Sequence, residues 1–186
     1  MNKILNIFKK SGALLSGHFC LTSGLHSPTY FQCAQVLQYP RYCRILAEKI
    51  VSHFREQAID VVIAPAIGGI VVGQEVGRQL SVRTIFAERK NGVMSLRRGF
   101  NVIHGERVLV CEDVVTTGGS VFEVIDLMKV TGADVIGVGF IVDRSNGQVD
   151  FKLKQHAVLQ LKTETYTADQ CPLCRKGLPI QKPGSR

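Results

Sequence analysis

Apolar residues in this chain fall into two alternating rhythms. The runs DVVIAP (60–65), VRTIFAER (82–89), RVLVC (107–111) and DVIGVGFIVDR (134–144) are apolar almost without interruption. Runs of that length read as strands buried on both faces. The segments between them keep a helical period. In YPRYCRILAEKIVSHFREQ (39–57), Ile45, Leu46, Ile50, Val51 and Phe54 recur at helical spacing. GGIVVGQEVGRQL (68–80) reads as a helix rich in small residues, and GSVFEVIDLMKVTGA (119–133) as another. KNGVMSLRRGFNVIHGE (90–106) is polar and glycine-bearing, and reads as a connection. At the start, MNKILNIFKKSGALLSGHF (1–19) reads as an amphipathic helix, and TSGLHSPTYF (22–31) as a polar turn feeding a short strand.

Strands that alternate with helices build a parallel sheet covered on both faces. With right-handed crossovers the expected fold is α/β, a doubly wound, mostly parallel sheet. The whole chain, 1–186, is expected to form a single domain, with about 1–38 as a small N-terminal part and 171–186 as a basic C-terminal tail. Ligands of such sheets bind at the carboxyl ends of the strands. Here those ends read APAIGG, AERK, CEDVVTTGGS and VDRSNG, and all four belong on one edge.

Composition narrows the classes. With 186 residues, 45% of them hydrophobic, the chain is long enough for a real core. No apolar run approaches the ~20 residues that span a bilayer, and no small-residue cleavage site follows the N-terminal segment. The expectation is a cytoplasmic protein with no membrane partner. The net charge of +8 raises nucleic acid as a ligand, but apart from RRGF and KPGSR the basic residues are dispersed. Phosphorylated anionic substrates account for the charge better, so no nucleic-acid partner is expected. Of six cysteines, Cys20, Cys33, Cys43 and Cys111 read as small buried hydrophobes. Cys171 and Cys174 form CPLC, which has the spacing of half a zinc site. No second CxxC or CxxH completes it, so a partner subunit would have to.

The chemistry concentrates in VLVCEDVVTTGGS (108–120). If the strand ends at Cys111, Glu112 and Asp113 sit at its mouth. Carboxylates accept hydrogen bonds, so two of them suit a vicinal diol such as the ribose 2- and 3-hydroxyls, or a magnesium ion through water. Thr116 to Ser120 open a helix whose first amides lack internal partners and favour a phosphate. Gly118 and Gly119 let the backbone come close, and Thr116, Thr117 and Ser120 offer hydroxyls. Diol at one end and phosphate at the other describe ribose 5-phosphate.

That stretch resembles the phosphoribosyl-pyrophosphate motif of type I phosphoribosyltransferases. With HFCLTSGLHSPTYFQCA, APAIGGIVVGQEV, FAERKNGVMSLRRGF, IVDR and CPLCRKGLPIQKPGSR, nearly the whole chain resembles the orotate phosphoribosyltransferase family, of the short bacterial kind. The resemblance implies a phosphoribosyl pyrophosphate site made of Glu112, Asp113, Val114, Val115, Thr116, Thr117, Gly118, Gly119 and Ser120. Gly68 and Gly69 join it in a loop that receives pyrophosphate, where better-studied relatives carry a lysine. Arg89 and Lys90 match the first basic pair of a loop that closes over the site and clamps pyrophosphate. Arg97 or Arg98 stands in for later basic residues of that loop, whereas His104 reads as a surface residue. Arg89, Lys90 and Asp113 are thus the expected catalytic residues. Orotate would meet Thr116 and Arg144, an aromatic from Tyr30 or Phe31, and the turn Thr22, Ser23 and Gly24, so the first 38 residues form a hood over the base.

The implied reaction transfers the phosphoribosyl group to orotate with Mg²⁺ as cofactor, giving orotidine 5-phosphate and pyrophosphate for pyrimidine biosynthesis. A homodimer with shared active sites is the implied assembly. Two alternatives remain: a phosphoribosyltransferase for another base, against which TSGLHSPTYF argues, and a nucleic-acid-binding regulator, supported by charge alone.

Overall fold

The computed structural model describes residues 3–21, 23–162 and 164–183. Along the chain the elements are α1 (Lys3–Lys10), β1 (Leu14–Cys20), β2 (His26–Phe31), α2 (Ala34–Leu37), α3 (Pro40–Phe54), β3 (Val61–Pro65), α4 (Gly68–Leu80), β4 (Arg83–Lys90), β5 (Val93–Leu96), β6 (Arg107–Val115), α5 (Gly119–Thr131), β7 (Asp134–Asp143), β8 (Lys154–Gln160) and α6 (Pro172–Arg175). They divide into two compact units, one made of residues 1–36 and 162–186, the other of residues 37–161. The N-terminal part and the C-terminal tail, remote in sequence, therefore fold as one unit.

The larger unit is the expected doubly wound sheet. Its strand order is β5-β4-β3-β6-β7-β8, parallel throughout except for β5. From β3 the chain builds outward to β4 and β5. It then returns to β6 and builds the other way. The switch point therefore lies between β3 and β6, where sheets of this kind open a ligand crevice. Alternation along the strands supplies both faces. Val61 and Ile63 of β3, Val108 and Val110 of β6, and Val138 and Phe140 of β7 join Val121, Val124, Ile125 and Met128 of α5 in one core cluster. On the other face, α4 presents Gly69, Gly73 and Gly77, one per turn. A β-carbon at Gly73 would stand 3.1 Å from that of Ala64, so the glycines let helix and sheet backbones close up. In β7, Gly137 and Gly139 make room for Phe54 and Ile50 of α3.

Two sequence expectations need correction here, and one strand is new. The N-terminal helix stops at Lys10, because Gly12 takes a left-handed φ of 72° and the chain turns into β1. The connection after Lys90 begins as a hairpin: Asn91 and Gly92, at φ 54° and 81°, turn β4 into antiparallel β5. An eighth strand, β8, closes the far edge of the sheet against β7.

In the smaller unit β1 and β2 pair antiparallel. Helix α1 buries Ile4, Ile7 and Phe8, with the Phe8 ring edge-on to Phe31 at 5.0 Å. The C-terminal segment adds single bridges, Gln181 to Phe19 and Tyr166 to His26. Among the described residues, no helix is long and apolar enough to cross a membrane.

Candidate active site

Strand β6 runs on to Val115, so Glu112 and Asp113 belong to the strand rather than lying beyond its end. Both carboxylates turn toward the first turn of α4. A β-carbon at Gly68 would collide with the Asp113 carboxylate, and one at Gly69 would stand 2.8 Å from Oε1 of Glu112. The two glycines are thus the space the acids occupy. This explains why the first turn of α4 opens on two glycines. The peptide joining Ala66 to Ile67 in that loop is cis.

Within the pair, Glu112 Oε1 accepts the Asp113 amide at 2.9 Å, and Asp113 Oδ1 accepts the Val114 amide at 2.8 Å. Burial pushes both carboxyls above the ordinary carboxylate range, and the charge of Asp113 pushes Glu112 further. Two charges side by side repel, and the nearby Arg89 charge offsets part of this at Glu112. Hydroxyl donors or a cation brought by a ligand would offset more.

Beside Glu112 lies a cavity of ≈ 170 Å³, lined by Arg89, Glu112 and the continuous stretch from Val114 to Val121. Its floor is the N-terminus of α5. Phe122 donates the first intrahelical bond, to Gly118 at 2.9 Å, so the amides before it have no partner within the helix. Gly118 takes a φ of 77° and is packed so closely that a β-carbon would meet Val149, Phe151 and Phe122 at 2.9 to 3.1 Å. Only glycine satisfies both conditions there. Arg89 arrives from the end of β4. Its guanidinium donates to Ser120 Oγ at 3.1 Å and pairs with Glu123 at 2.9 Å. Surface pairs of this kind contribute only about 0–1 kcal/mol, so an incoming phosphate can exchange for Glu123 at little cost.

Other expected residues fall elsewhere. The Arg144 amide donates to the Val115 carbonyl at 2.8 Å, which brings this half-buried residue to the same sheet edge as the cavity. Asp143 organises the turn after it, accepting from the Ser145 amide and hydroxyl at 2.7 and 2.6 Å. Lys90 is exposed and makes no ion pair with another described residue. Arg97 and Arg98 both pair with Glu88, at 3.5 and 2.9 Å. His104 is exposed and lies against Gly132, a full helix length from the N-terminus of α5. In the smaller unit, Phe31 is buried against Phe8. Tyr30 keeps exposed surface and donates from its hydroxyl to Gln32 at 3.1 Å. Ser23 is exposed and accepts from the Leu25 amide at 3.5 Å, and Gly24 takes a φ of 81°. Thr22 lies outside the described residues.

Acids for a diol, helix amides for a phosphate and a switch-point crevice define a protein that handles a phosphorylated sugar. The comparisons agree on the class: a family model described as the phosphoribosyl transferase domain matches residues 32–163. Orotate phosphoribosyltransferase of Chlorobium phaeobacteroides is 60% identical over 183 residues, covering 98% of this chain and 95% of that protein. The enzyme of the same name from Desulforamulus reducens is 56% identical over 184 residues, covering 99% and 96%. Among solved structures, orotate phosphoribosyltransferase from Aeropyrum pernix superposes with a TM-score of 0.74 at 23% identity, covering 86% of this chain and 94% of that one. Adenine phosphoribosyltransferase from Thermoanaerobacter pseudethanolicus gives 0.63 at 15% identity, covering 72% and 88%. The chain belongs to the orotate phosphoribosyltransferase family.

Proposed function

We propose that this protein transfers the 5-phosphoribosyl group of phosphoribosyl pyrophosphate to orotate, releasing pyrophosphate and forming orotidine 5-phosphate, in the synthesis of UMP. The observation that carries the reading is the cavity that joins Glu112 to the N-terminus of α5. The helix amides and the hydroxyls of Thr116, Thr117 and Ser120 hold the 5-phosphate. The acid pair accepts the ribose hydroxyls. The backbone at Gly68 and Gly69 receives the pyrophosphate, and Arg89 adds positive charge beside the phosphates.

Thr116 and Arg144, at the same sheet edge as the cavity, present donors to the carboxylate-bearing base. Tyr30, rather than the buried Phe31, offers a ring face for stacking, with Ser23 at the turn. The reaction breaks the bond from ribose carbon 1 to the pyrophosphate oxygen, which keeps the electron pair. A ring nitrogen of orotate bonds to that carbon and gives up its proton. Catalysis rests on alignment and on stabilising charge as it shifts from sugar to leaving group.

Two carboxylates with no third acidic ligand suit Mg²⁺, which keeps several waters and takes much of its shell from substrate phosphates. Bound there, Mg²⁺ would neutralise the pyrophosphate, with Glu112 or Asp113 reaching it through water. The same reading includes a homodimer with shared active sites, in the cytoplasm where soluble phosphorylated substrates are made and used.

The decisive measurement is orotate consumption by the purified chain with phosphoribosyl pyrophosphate and Mg²⁺, against a panel of purine and pyrimidine bases. Turnover of orotate in preference to every other base is the expected result. Preference for another base, or no turnover at all, would overturn the proposal.

A further inference from the structure

The smaller unit holds a second cluster of chemistry that the transfer reaction does not use. Strand β1 contributes His18, β2 contributes His26, and the C-terminal segment contributes Cys171 and Cys174. One ligand-type atom from each of the four lies within 4.8 Å of the others. We propose that these residues form a structural zinc site, Cys₂His₂, that fastens the C-terminal segment to the β1–β2 hairpin.

Four of the six separations lie close to the edges of a tetrahedron around a metal ion. His18 Nε2 is 3.0 Å from His26 Nδ1 and 3.6 Å from Cys171 Sγ. Cys174 Sγ is 3.7 Å from His18 Nε2 and 3.2 Å from His26 Nδ1. Zinc bonds of about 2.0–2.1 Å to nitrogen and about 2.3 Å to sulfur give tetrahedral edges of roughly 3.3 to 3.8 Å. The tautomer of His18 is also set for coordination. Its Nδ1 lies 2.8 Å from the Leu178 carbonyl, an acceptor only, so Nδ1 carries the hydrogen and Nε2 turns a lone pair to the cluster. A carbonyl behind a ligating histidine is the usual support of a metal-bound imidazole.

The donor set chooses the metal. Two sulfurs and two imidazoles with no oxygen suit zinc rather than magnesium or calcium. Four protein ligands leave no open position, so the site is structural and not catalytic. His18, His26 and Cys171 are buried, while Cys174 is exposed and gives the ion a way in. On loading, each thiol loses its proton to solvent as a zinc–sulfur bond forms. The two thiolates cancel the charge of the ion, which makes burial affordable.

Backbone bonds show what the site would fasten. Cys20 donates to the Gln181 carbonyl and Gln181 to the His18 carbonyl, both at 2.8 Å. His26 and Tyr166 exchange bonds of 2.8 and 2.9 Å. These ties are few, and a unit this small has little core with which to hold a chain end. A metal staple is a common remedy.

The test uses the full chain, purified reduced and without metal-affinity resin or chelator. Elemental analysis by plasma mass spectrometry is expected to find one zinc per chain. Titrating Co²⁺ into the metal-free chain should give the visible bands of tetrahedral cobalt together with thiolate charge transfer. Cys174→Ser changes an exposed position, so folding is preserved, and zinc affinity should fall by more than about tenfold. Chelating the wild-type chain should speed tryptic cleavage at Arg175 and Lys176, and added zinc should reverse the effect. A chain that carries no zinc and gives no cobalt spectrum overturns the proposal.

Discussion

Glycines decide the active site as much as acids do. Gly68 is the residue whose missing side chain leaves room for the Asp113 carboxylate. Its own backbone is helical, so alanine there costs no conformational strain and ordinarily favours the helix. The expected damage is therefore local. Gly68→Ala should push the Asp113 carboxylate aside and lower turnover by about 10²-fold or more, the scale of losing one placed electrostatic group. Melting temperature should stay close to wild type, since the displaced group is a side-chain end and not the core. Circular dichroism melts and initial rates measured on one preparation check both halves. A fully active variant would mean that the Asp113 position does not matter to catalysis. Asp113→Asn, which keeps shape and removes charge, should show a loss of the same order.

At the scale of elements, Asp60 ties the entry of β3 to that of β6. Its carboxylate accepts three bonds from Arg107: the backbone amide at 2.9 Å, Nε at 2.8 Å and Nη2 at 2.6 Å. These bonds hold the Asp60 carboxyl well below the usual carboxylate range. A depressed folded-state value means that the unfolded chain binds the proton more readily. The stabilisation is therefore present above the ordinary value of 3.8 and is lost as pH falls toward the lower folded value. The difference in urea unfolding between wild type and Asp60→Asn should be constant from about pH 6 to about pH 4 and shrink steadily as pH falls further. A difference that stays constant well below about pH 4 would sink the linkage. The same elements show what the sequence makes legible. Strands β3, β6 and β7 are largely buried on both faces, and their apolar runs declare them. Strand β8, KQHAVLQ, is an edge strand in which only Leu159 is buried, so its pattern is that of a loop. The Asn91–Gly92 turn is a readable hairpin signal, masked by the polar residues around it, which have the pattern of a connection. In the site, the acids and phosphate loop are contiguous and can be read directly. That Gly68 accommodates Asp113, or that Glu123 holds Arg89, depends on contacts between distant segments. His18 and His26 have no metal-motif spacing, and only the pairing of β1 with β2 brings them together.

At the scale of the whole molecule, Arg89 and Lys90 are held differently although they are adjacent on β4. Arg89 lies on the α5 face, bonded to Ser120 and Glu123 beside the phosphate loop. Lys90 lies on the face of Glu88, whose carboxylate is occupied by Arg97 and Arg98. It stands at the tip of the β4–β5 hairpin, exposed, with no ion pair among the described residues. If Lys90 neutralises pyrophosphate, as the family resemblance implies, its exposed place at the hairpin tip suits the cavity of a second copy of the chain. In a two-fold dimer each hairpin would then complete the other subunit's site. Lys90→Ala should accordingly lower turnover strongly with a modest change in the Michaelis constants, because the charge acts after the site has closed. Mixing Lys90→Ala with Asp113→Asn then becomes diagnostic. Exchange of subunits would place both defects in one site and leave the other intact. Since half the dimers would be mixed, activity should recover to roughly a quarter of wild type. Exchange is verified by native mass spectrometry of differently labelled chains. Proven exchange without recovery would assign each hairpin to its own subunit, and a wild-type rate for Lys90→Ala would remove that residue from the mechanism.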